Sequence, residues 1–420
     1  IDRGDIVTPE LYSLLKTYER ISGQKSANQV DRHHYPVLGQ IFYVVLIFGA
    51  LYMFLFLFRS RIFSNNRSLE FVMLLVTGFL ILAFAMNDTI RCGLYMVPFT
   101  ILPILLVVFF DGRTAFFVYM VEILLCSMVA AFPLEFIFVQ WIAGVVAISS
   151  LKELNRRSQL VRSALFIFLA YCMAYAAVEI LQAGTLDKIS TRMFGAFGIN
   201  GILISFAYFM VFLAEKMFGF TSAVTLVELN DVNNPTLREL SRECPGTFQH
   251  SMQVSNLASE AAHRIGANVQ LVRTGALYHD IGKIDNPAFF TENQHGINPH
   301  DALSPIQSAR IVIGHVTGGL KRADKVKLPQ VIKDFISQHH GHGKAKYFYN
   351  TYCNAHPGEE VDAEAFTYPG PNPQTKETSI LMMADAVEAA SRSLTEHTVE
   401  SITALVNRII DGQIADGLHD

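Results

Sequence analysis

Cysteine is scarce in this 420-residue chain and carries no pattern: Cys92, Cys126, Cys172, Cys244 and Cys353 form neither a CxxC motif nor a paired spacing. Neither a disulfide framework nor a zinc ribbon is indicated. Charge is thin as well. Only 17% of the residues are charged, and the formal net charge is −4, where a binder of nucleic-acid polymer would normally show a basic face. Internal repeats and low-complexity tracts are missing. So are an initiator methionine and a signal-peptide pattern, and a chain that starts at Ile1 is expected to be a fragment of a longer protein.

Apolar sequence is abundant. At 51% hydrophobic the chain has more apolar surface than one soluble core needs. The excess is confined to the part before about Phe220; beyond it charges, prolines and histidines return at ordinary soluble density. A hydrocarbon core roughly 30 Å thick takes about 20 apolar residues of helix. Seven runs are candidates: Val37–Leu57, Phe71–Met86, Leu94–Phe110, Ala115–Phe132, Leu134–Ser149, Ala164–Leu181 and Phe197–Leu213.

Basic residues orient these runs. Arg59, Arg61 and Arg67 follow the first run, Arg113 the third, and Lys152, Arg156, Arg157 and Arg162 the fifth. The alternate connections hold only Arg91, then Lys188 and Arg192. The positive-inside rule makes the first set cytoplasmic, with the N-terminus outside and the C-terminal half in the cytoplasm. Lys16, Arg20, Lys25 and Arg32 fall on the side read as external, where a folded domain upstream would escape the rule. Within the runs, Glu122, Glu135 and Gln140 are read as interhelical hydrogen-bonders. Between the halves, Thr225–Cys244 contains an Asn-Asn-Pro break and then an amphipathic pattern, Leu237, Leu240 and Cys244, expected to be a short connecting helix that couples the domains mechanically.

Twelve of the fourteen histidines come after Gln249, and none lies in a proposed span. His250, His279-Asp280, His315, His339-His340 and Asp385 all sit in helical-looking stretches among apolar residues. A lone histidine on an apolar face is more often a hydrogen-bonded core residue than a ligand. Five such segments within roughly 135 residues are different, because burying so many unpaired polar groups would cost several kcal/mol. Imidazole mixed with carboxylate suits Fe, Mn, Zn or Ni.

The order H…HD…H…HH…D, with the words ECPGTFQHS, YHDIGK, FFTENQ, NPHDALSP, QHHG and YPGPNPQTKE, resembles the two-metal branch of the HD superfamily of metal-dependent phosphohydrolases. With the apolar half included, the chain is similar to the bacterial 7TM-HD phosphodiesterases that hydrolyse cyclic di-AMP. The resemblance implies an all-α fold, a seven-transmembrane helix bundle followed by a cytoplasmic all-α HD domain. It also implies a multi-pass place in the bacterial inner membrane and the lipid bilayer as partner. The expected boundaries are 1–36 for the end of an extracellular segment, 37–220 for the bundle, 221–245 for the linker and 246–420 for the HD domain.

Carried over residue by residue, the resemblance implies that His250, His279, Asp280, His315, His339, His340 and Asp385 hold two divalent ions, iron or manganese, with Asp280 bridging. Lys283, expected one helical turn beyond His279, can offer its ammonium to a phosphate. Lys376 and Gln374, after the Pro/Gly-rich loop, and Tyr347 are further substrate-binding candidates. Tyr347, Phe348 and Tyr349 could stack on adenine; His295, His300 and Asp301 form a loop that could touch substrate; His342 is read as a neighbour of the site. The expected reaction is hydrolysis of cyclic di-AMP to linear pApA, and a homodimer is left open. The cyclic di-GMP branch, with its Gly-Tyr-Pro word, is disfavoured because His339–Tyr349 reads HHGHGKAKYFY. A receptor whose HD domain only binds nucleotide would usually have lost part of the ligand set.

Overall fold

The computed structural model describes residues 8–27, 35–89, 93–151, 157–185, 189–294, 296–358 and 361–419. Arg32, His33, His34, Arg91, Cys92, Lys152, Arg156, Lys188 and His295 lie outside these. Among the described residues the secondary structure is helical, with one isolated bridge between Lys344 and Thr367. The chain divides into two compact units, Ile1–Ser150 with Ser163–Ile204, and Leu151–Arg162 with Ser205–Asp420.

The first unit contains α1 (Pro9–Ala27), α2 (Tyr35–Phe58), α3 (Ser60–Ser64), α4 (Asn66–Thr89), α5 (Gly93–Met96), α6 (Ile101–Phe109), α7 (Gly112–Ser127), α8 (Pro133–Ser150), most of α9 (Arg157–Ala183) and α10 (Thr191–Ser205). Among the described residues four helices are long and apolar enough to cross a membrane: α2, α4, α8 and α9. A fifth span results if α10 and the following helix α11 (Ala207–Phe218) count as one broken span. The other apolar runs are shortened by identifiable breaks. The third is interrupted around Pro98, which has no N–H to continue a helix, leaving α5 and α6 as separate pieces. The fourth yields α7, which ends at Ser127, well before Pro133.

Polar residues pin this unit together. Asp111 caps α7 by accepting from the backbone of Arg113 and Thr114, and also pairs with Arg59 at 3.1 Å. Gln140 Oε1 accepts from Tyr119 of α7 at 3.1 Å and from Tyr171 of α9 at 2.7 Å, while Glu135 accepts from Tyr95 of α5 at 3.1 Å. Glu122 differs from the interhelical expectation: its Oε1 accepts from Cys126 Sγ in the same helix at 3.1 Å.

The second unit continues with α12 (Ala223–Leu229), α13 (Pro235–Glu243), α14 (Pro245–Arg264), α15 (Val269–Tyr278), α16 (Pro305–Lys325), α17 (Gln330–Gln338), α18 (Lys346–Ala355), α19 (Lys376–Ser391) and α20 (Val399–Ala415). Asn234 caps α13 and Pro235 opens it, a pairing that suits a first turn. The apolar stripe Leu237, Leu240 and Cys244 is fully buried, against Leu277, Tyr278, Ile281 and Ile284. The connecting helices therefore belong to the core that carries α15.

Candidate metal centre

Five helices deliver the chemistry-bearing residues to one point. His250 lies on α14, His279 and Asp280 follow the last turn of α15, His315 lies on α16, His339 and His340 follow α17, and Asp385 lies on α19. Six of the seven are buried, Asp280 at 2% exposure and His279 at 0%. The backbone comes close here for a specific reason: Gly282 lies against α16, where an added Cβ would sit 1.8 Å from the carbonyl oxygen of His315. The segment Ile281–Asp285 is a 3-10 helix, so α15 does not run on to Lys283 as the sequence suggested. Lys283 still reaches the centre, with Nζ 2.8 Å from Asp280 Oδ2 and 2.8 Å from Glu292 Oε1.

Asp280 divides the cluster. Its Oδ2 lies 3.2 Å from His279 Nε2 and 3.7 Å from His250 Nε2, while its Oδ1 lies 3.3 Å from His315 Nε2 and 3.7 Å from His339 Nε2. Asp385 Oδ1 completes the first side, 2.8 Å from His250 Nε2 and 3.6 Å from His279 Nε2. Two trios thus stand ready, His250, His279 and Asp385 on one side and His315, His339 and His340 on the other, each with ligand atoms within 4.8 Å of one another.

The imidazoles are aimed by their other nitrogens. Nδ1 of His279 lies 2.7 Å from the Ala276 carbonyl, that of His315 2.5 Å from Val312, and that of His339 2.9 Å from Ile336. A carbonyl can only accept, so Nδ1 carries the proton and Nε2 of the neutral ring offers its lone pair to the centre. His250 Nδ1 instead meets the carboxylate of Glu388.

Electrostatics separate the trios further. Burial alone would lower the pKa of His279, but the Asp280 and Asp385 carboxylates beside it raise it to about 10. His250 is raised too, chiefly by Asp385, against the pull of burial. On the other side burial and the neighbouring His315 push His340 down to about 3, and burial with three histidine neighbours lowers His339. Burial would raise Asp280 and Asp385, yet His279 and Lys283 hold the first, and His250 and His279 the second, well below the usual carboxylate range.

The residues fit a metal. His279 Nε2 and Asp280 Oδ1 are buried and have no hydrogen-bond partner among the described residues, which is costly unless a cation takes their lone pairs. Mixed imidazole and carboxylate donors suit a transition-metal ion.

Three cavities lie in this unit, and two of them are lined by further candidates from the sequence. One of about 400 Å³ opens on the centre itself, lined by His339, His340, Asp385 and Tyr368 with Lys344 and Arg408. A second, of about 520 Å³, is lined by Phe289, Phe290, Glu292, His300, Tyr347 and Phe348. Gln374 and Lys376 do not join the cluster. They line a third cavity, of about 820 Å³, with His342 and His419, and Lys376 opens α19 roughly 13 Å along the helix from Asp385 at 1.5 Å per residue.

Sequence reasoning missed Glu388 and Arg392, although Glu388 follows Asp385 at a helical spacing that places both on one face. It also assigned no role to Glu292, which lies inside the quoted word FFTENQ. Glu292 accepts from Thr247 at 2.9 Å as well as from Lys283.

Residues 34–222 match the family model described as a 7TM receptor with intracellular HD hydrolase, and residues 247–390 match that of the HD domain. The chain belongs to this 7TM-HD family. As a 7TM-HD protein with helices long and apolar enough to span, it is an integral membrane protein. It is 37% identical over 282 residues to the cyclic-di-AMP phosphodiesterase PgpH of Bacillus subtilis, covering 66% of this chain and 39% of the relative. Against PgpH of Listeria monocytogenes it is 39% identical over 286 residues, covering 66% and 39%. The chain thus spans about two-fifths of the length of these relatives. A solved structure of the Listeria monocytogenes PgpH HD domain in complex with cyclic-di-AMP is similar at 45% identity and a TM-score of 0.43, covering 44% of this chain and 85% of that one.

Proposed function

We propose that this 7TM-HD protein is a membrane-bound phosphodiesterase that hydrolyses cyclic di-AMP to linear pApA. One observation carries the chemistry: the two oxygens of Asp280 face two separate ligand trios, the arrangement a bridging carboxylate needs. His250, His279 and Asp385 would hold one ion and His315, His339 and His340 the other, with iron or manganese suited to the donor set. Ions held there would offer positive charge to a phosphodiester and would lower the pKa of a water.

The chain's own groups do the rest. Asp280 is fixed by burial and by Lys283, and the imidazoles of His250, His279, His315 and His339 by the acceptors on their Nδ1 atoms. Lys283, with its Nζ 2.8 Å from Asp280 Oδ2, would give its ammonium to a phosphate oxygen. Tyr347 lines the aromatic cavity next to Glu292 and is exposed, as a stacking contact for a base would need to be. Gln374 and Lys376 line a separate cavity and stay as proposed substrate contacts. The substrate reading is supported by the names of the relatives, both cyclic-di-AMP phosphodiesterases.

For the architecture we infer the end of an extracellular segment over 1–36, a seven-span bundle over 37–220 with its N-terminus outside, a linker over 221–245 and a cytoplasmic HD domain over 246–420. The family description and the basic connections support this. Metal analysis of chelator-free protein, with turnover measured on a panel of cyclic dinucleotides, tests the function. Two ions and preferential cleavage of cyclic di-AMP are expected. Faster cleavage of cyclic di-GMP would overturn the substrate, and tight binding without turnover would leave a receptor.

A further inference from the structure

We propose that Glu388 is a positioning residue that selects the metal-binding form of His250 and so governs the occupancy of one metal position and not the other. The inference rests on the two-trio reading of the site. Among the four candidate ligand histidines with an Nδ1 partner in the described residues, His250 alone uses a side chain: Glu388 Oε2 accepts from its Nδ1, where His279, His315 and His339 use carbonyls of their own helices. A helix carbonyl cannot be lost by mutation or swing away. Glu388 can do both, so His250 is the one of these four imidazoles whose orientation depends on a second side chain.

That side chain is itself fixed. Glu388 is 7% exposed, and Arg392, one turn further on α19, donates from Nη2 to both carboxylate oxygens at 2.8 and 2.9 Å and from Nε to Oε1 at 3.2 Å. Arg392 Nη2 also lies 3.1 Å from His250 Nδ1. A guanidinium has no acceptor, so it cannot satisfy a protonated Nδ1. The carboxylate is what draws the proton to that nitrogen and leaves Nε2 as the donor atom facing Asp385 and Asp280. Because Asp385 and Glu388 lie three residues apart on α19, one helix carries both a ligand of this position and the group that orients its neighbour.

The full chain, solubilised in detergent and dialysed against graded chelator, provides the test, read as metal content per chain. Wild type is expected to keep two ions. Glu388→Ala should lose one at a chelator concentration about 10- to 100-fold lower than wild type needs, and the second at the unchanged concentration. Glu388→Gln keeps an oxygen that accepts from Nδ1 and should retain the first ion better than the alanine variant. Turnover of Glu388→Ala should return on adding excess metal, which damage to folding would not allow. Retention of both ions at wild-type chelator concentrations overturns the proposal, and so does loss of both together. A wild-type chain that binds no metal would overturn the two-metal reading itself, and this inference with it.

Discussion

The phenol of Tyr278 donates a 2.8 Å hydrogen bond to the backbone carbonyl of Leu229, and the next residue in the chain is His279. A second tie runs beside it, from Thr274 Oγ1 to the carbonyl of Leu226 at 3.2 Å. Upstream, Glu215 of α11 accepts from the backbone of Ser222 at 2.7 Å and from Thr225 Oγ1 at 2.8 Å. The chain leaving the last apolar helix is thus tied residue by residue to the helix that ends in the metal ligands. A flexible insertion near Asn233, the position suggested by the Asn-Asn-Pro break, would fall between α12 and α13 after the first ties are made.

The effective place to uncouple the halves is therefore between Gly219 and Ser222. A Gly/Ser insertion there should abolish changes in turnover that depend on the state of the membrane half while leaving basal hydrolysis intact. The same insertion near Asn233 should do less. Equal effects of the two insertions on a reconstituted, membrane-dependent activity would count against the relay.

Gly282→Ala probes the close approach at the centre. The new methyl would sit 1.8 Å from the His315 carbonyl and 2.5 Å from the Gly319 nitrogen, both backbone atoms that cannot swing aside. Separating α16 from the segment that carries Asp280 and Lys283 should cost on the order of 1–3 kcal/mol or more, seen as a lower thermal midpoint, and should weaken metal retention. An unchanged midpoint would contradict the packing.

Much of this centre was legible because each ligand is a polar residue inside an apolar, helix-forming stretch, so the conflict with burial is visible without coordinates. Lys283 was placed by assuming that α15 continues; the structure ends that helix at Tyr278, and a 3-10 turn brings the lysine to the same carboxylate. Glu292, Glu388 and Arg392 were hidden because charged residues at such spacings are ordinarily solvated, and only tertiary packing shows the two carboxylates facing inward, with the half-exposed Arg392 holding Glu388 from outside. In the membrane half the runs were visible but their interruptions were underweighted, since Pro98 removes a helical hydrogen bond that hydropathy alone does not count.

Orientation can be read independently. A reporter fused after Arg157 should behave as cytoplasmic and one inserted near Lys188 as external, because the basic residues favour alternate connections. Reporters on the same side would remove the seven-span arrangement.

The two metal positions should respond differently to pH. Coordination takes a neutral imidazole, so a raised pKa means that a proton must leave before the ion can bind. His279, raised to about 10, is protonated through the neutral range, whereas His340, lowered to about 3, is already neutral. Affinity at the His250, His279 and Asp385 position should therefore climb about tenfold per pH unit for each proton displaced between pH 6 and 8, and affinity at the His315, His339 and His340 position should be flatter. Calorimetry in buffers of different ionisation enthalpy counts the protons released by each ion. Identical proton release in both steps would show that the trios do not differ in this way.

Asp280 and Lys283 are adjacent in space but should fail differently. Asp280→Ala removes the carboxylate that faces both trios, so at least one ion should be lost and hydrolysis should fall by several orders of magnitude while the apolar helices still insert. Lys283→Ala leaves both trios intact; the metals should stay, and activity should drop roughly 10- to 1000-fold, the loss of about 1.4–4 kcal/mol of transition-state stabilisation. Metal content and turnover measured on the same preparations separate the cases. If Asp280→Ala kept both ions and near-normal turnover, its two oxygens would not be bridging anything, and the site would have to be sought elsewhere in the HD domain.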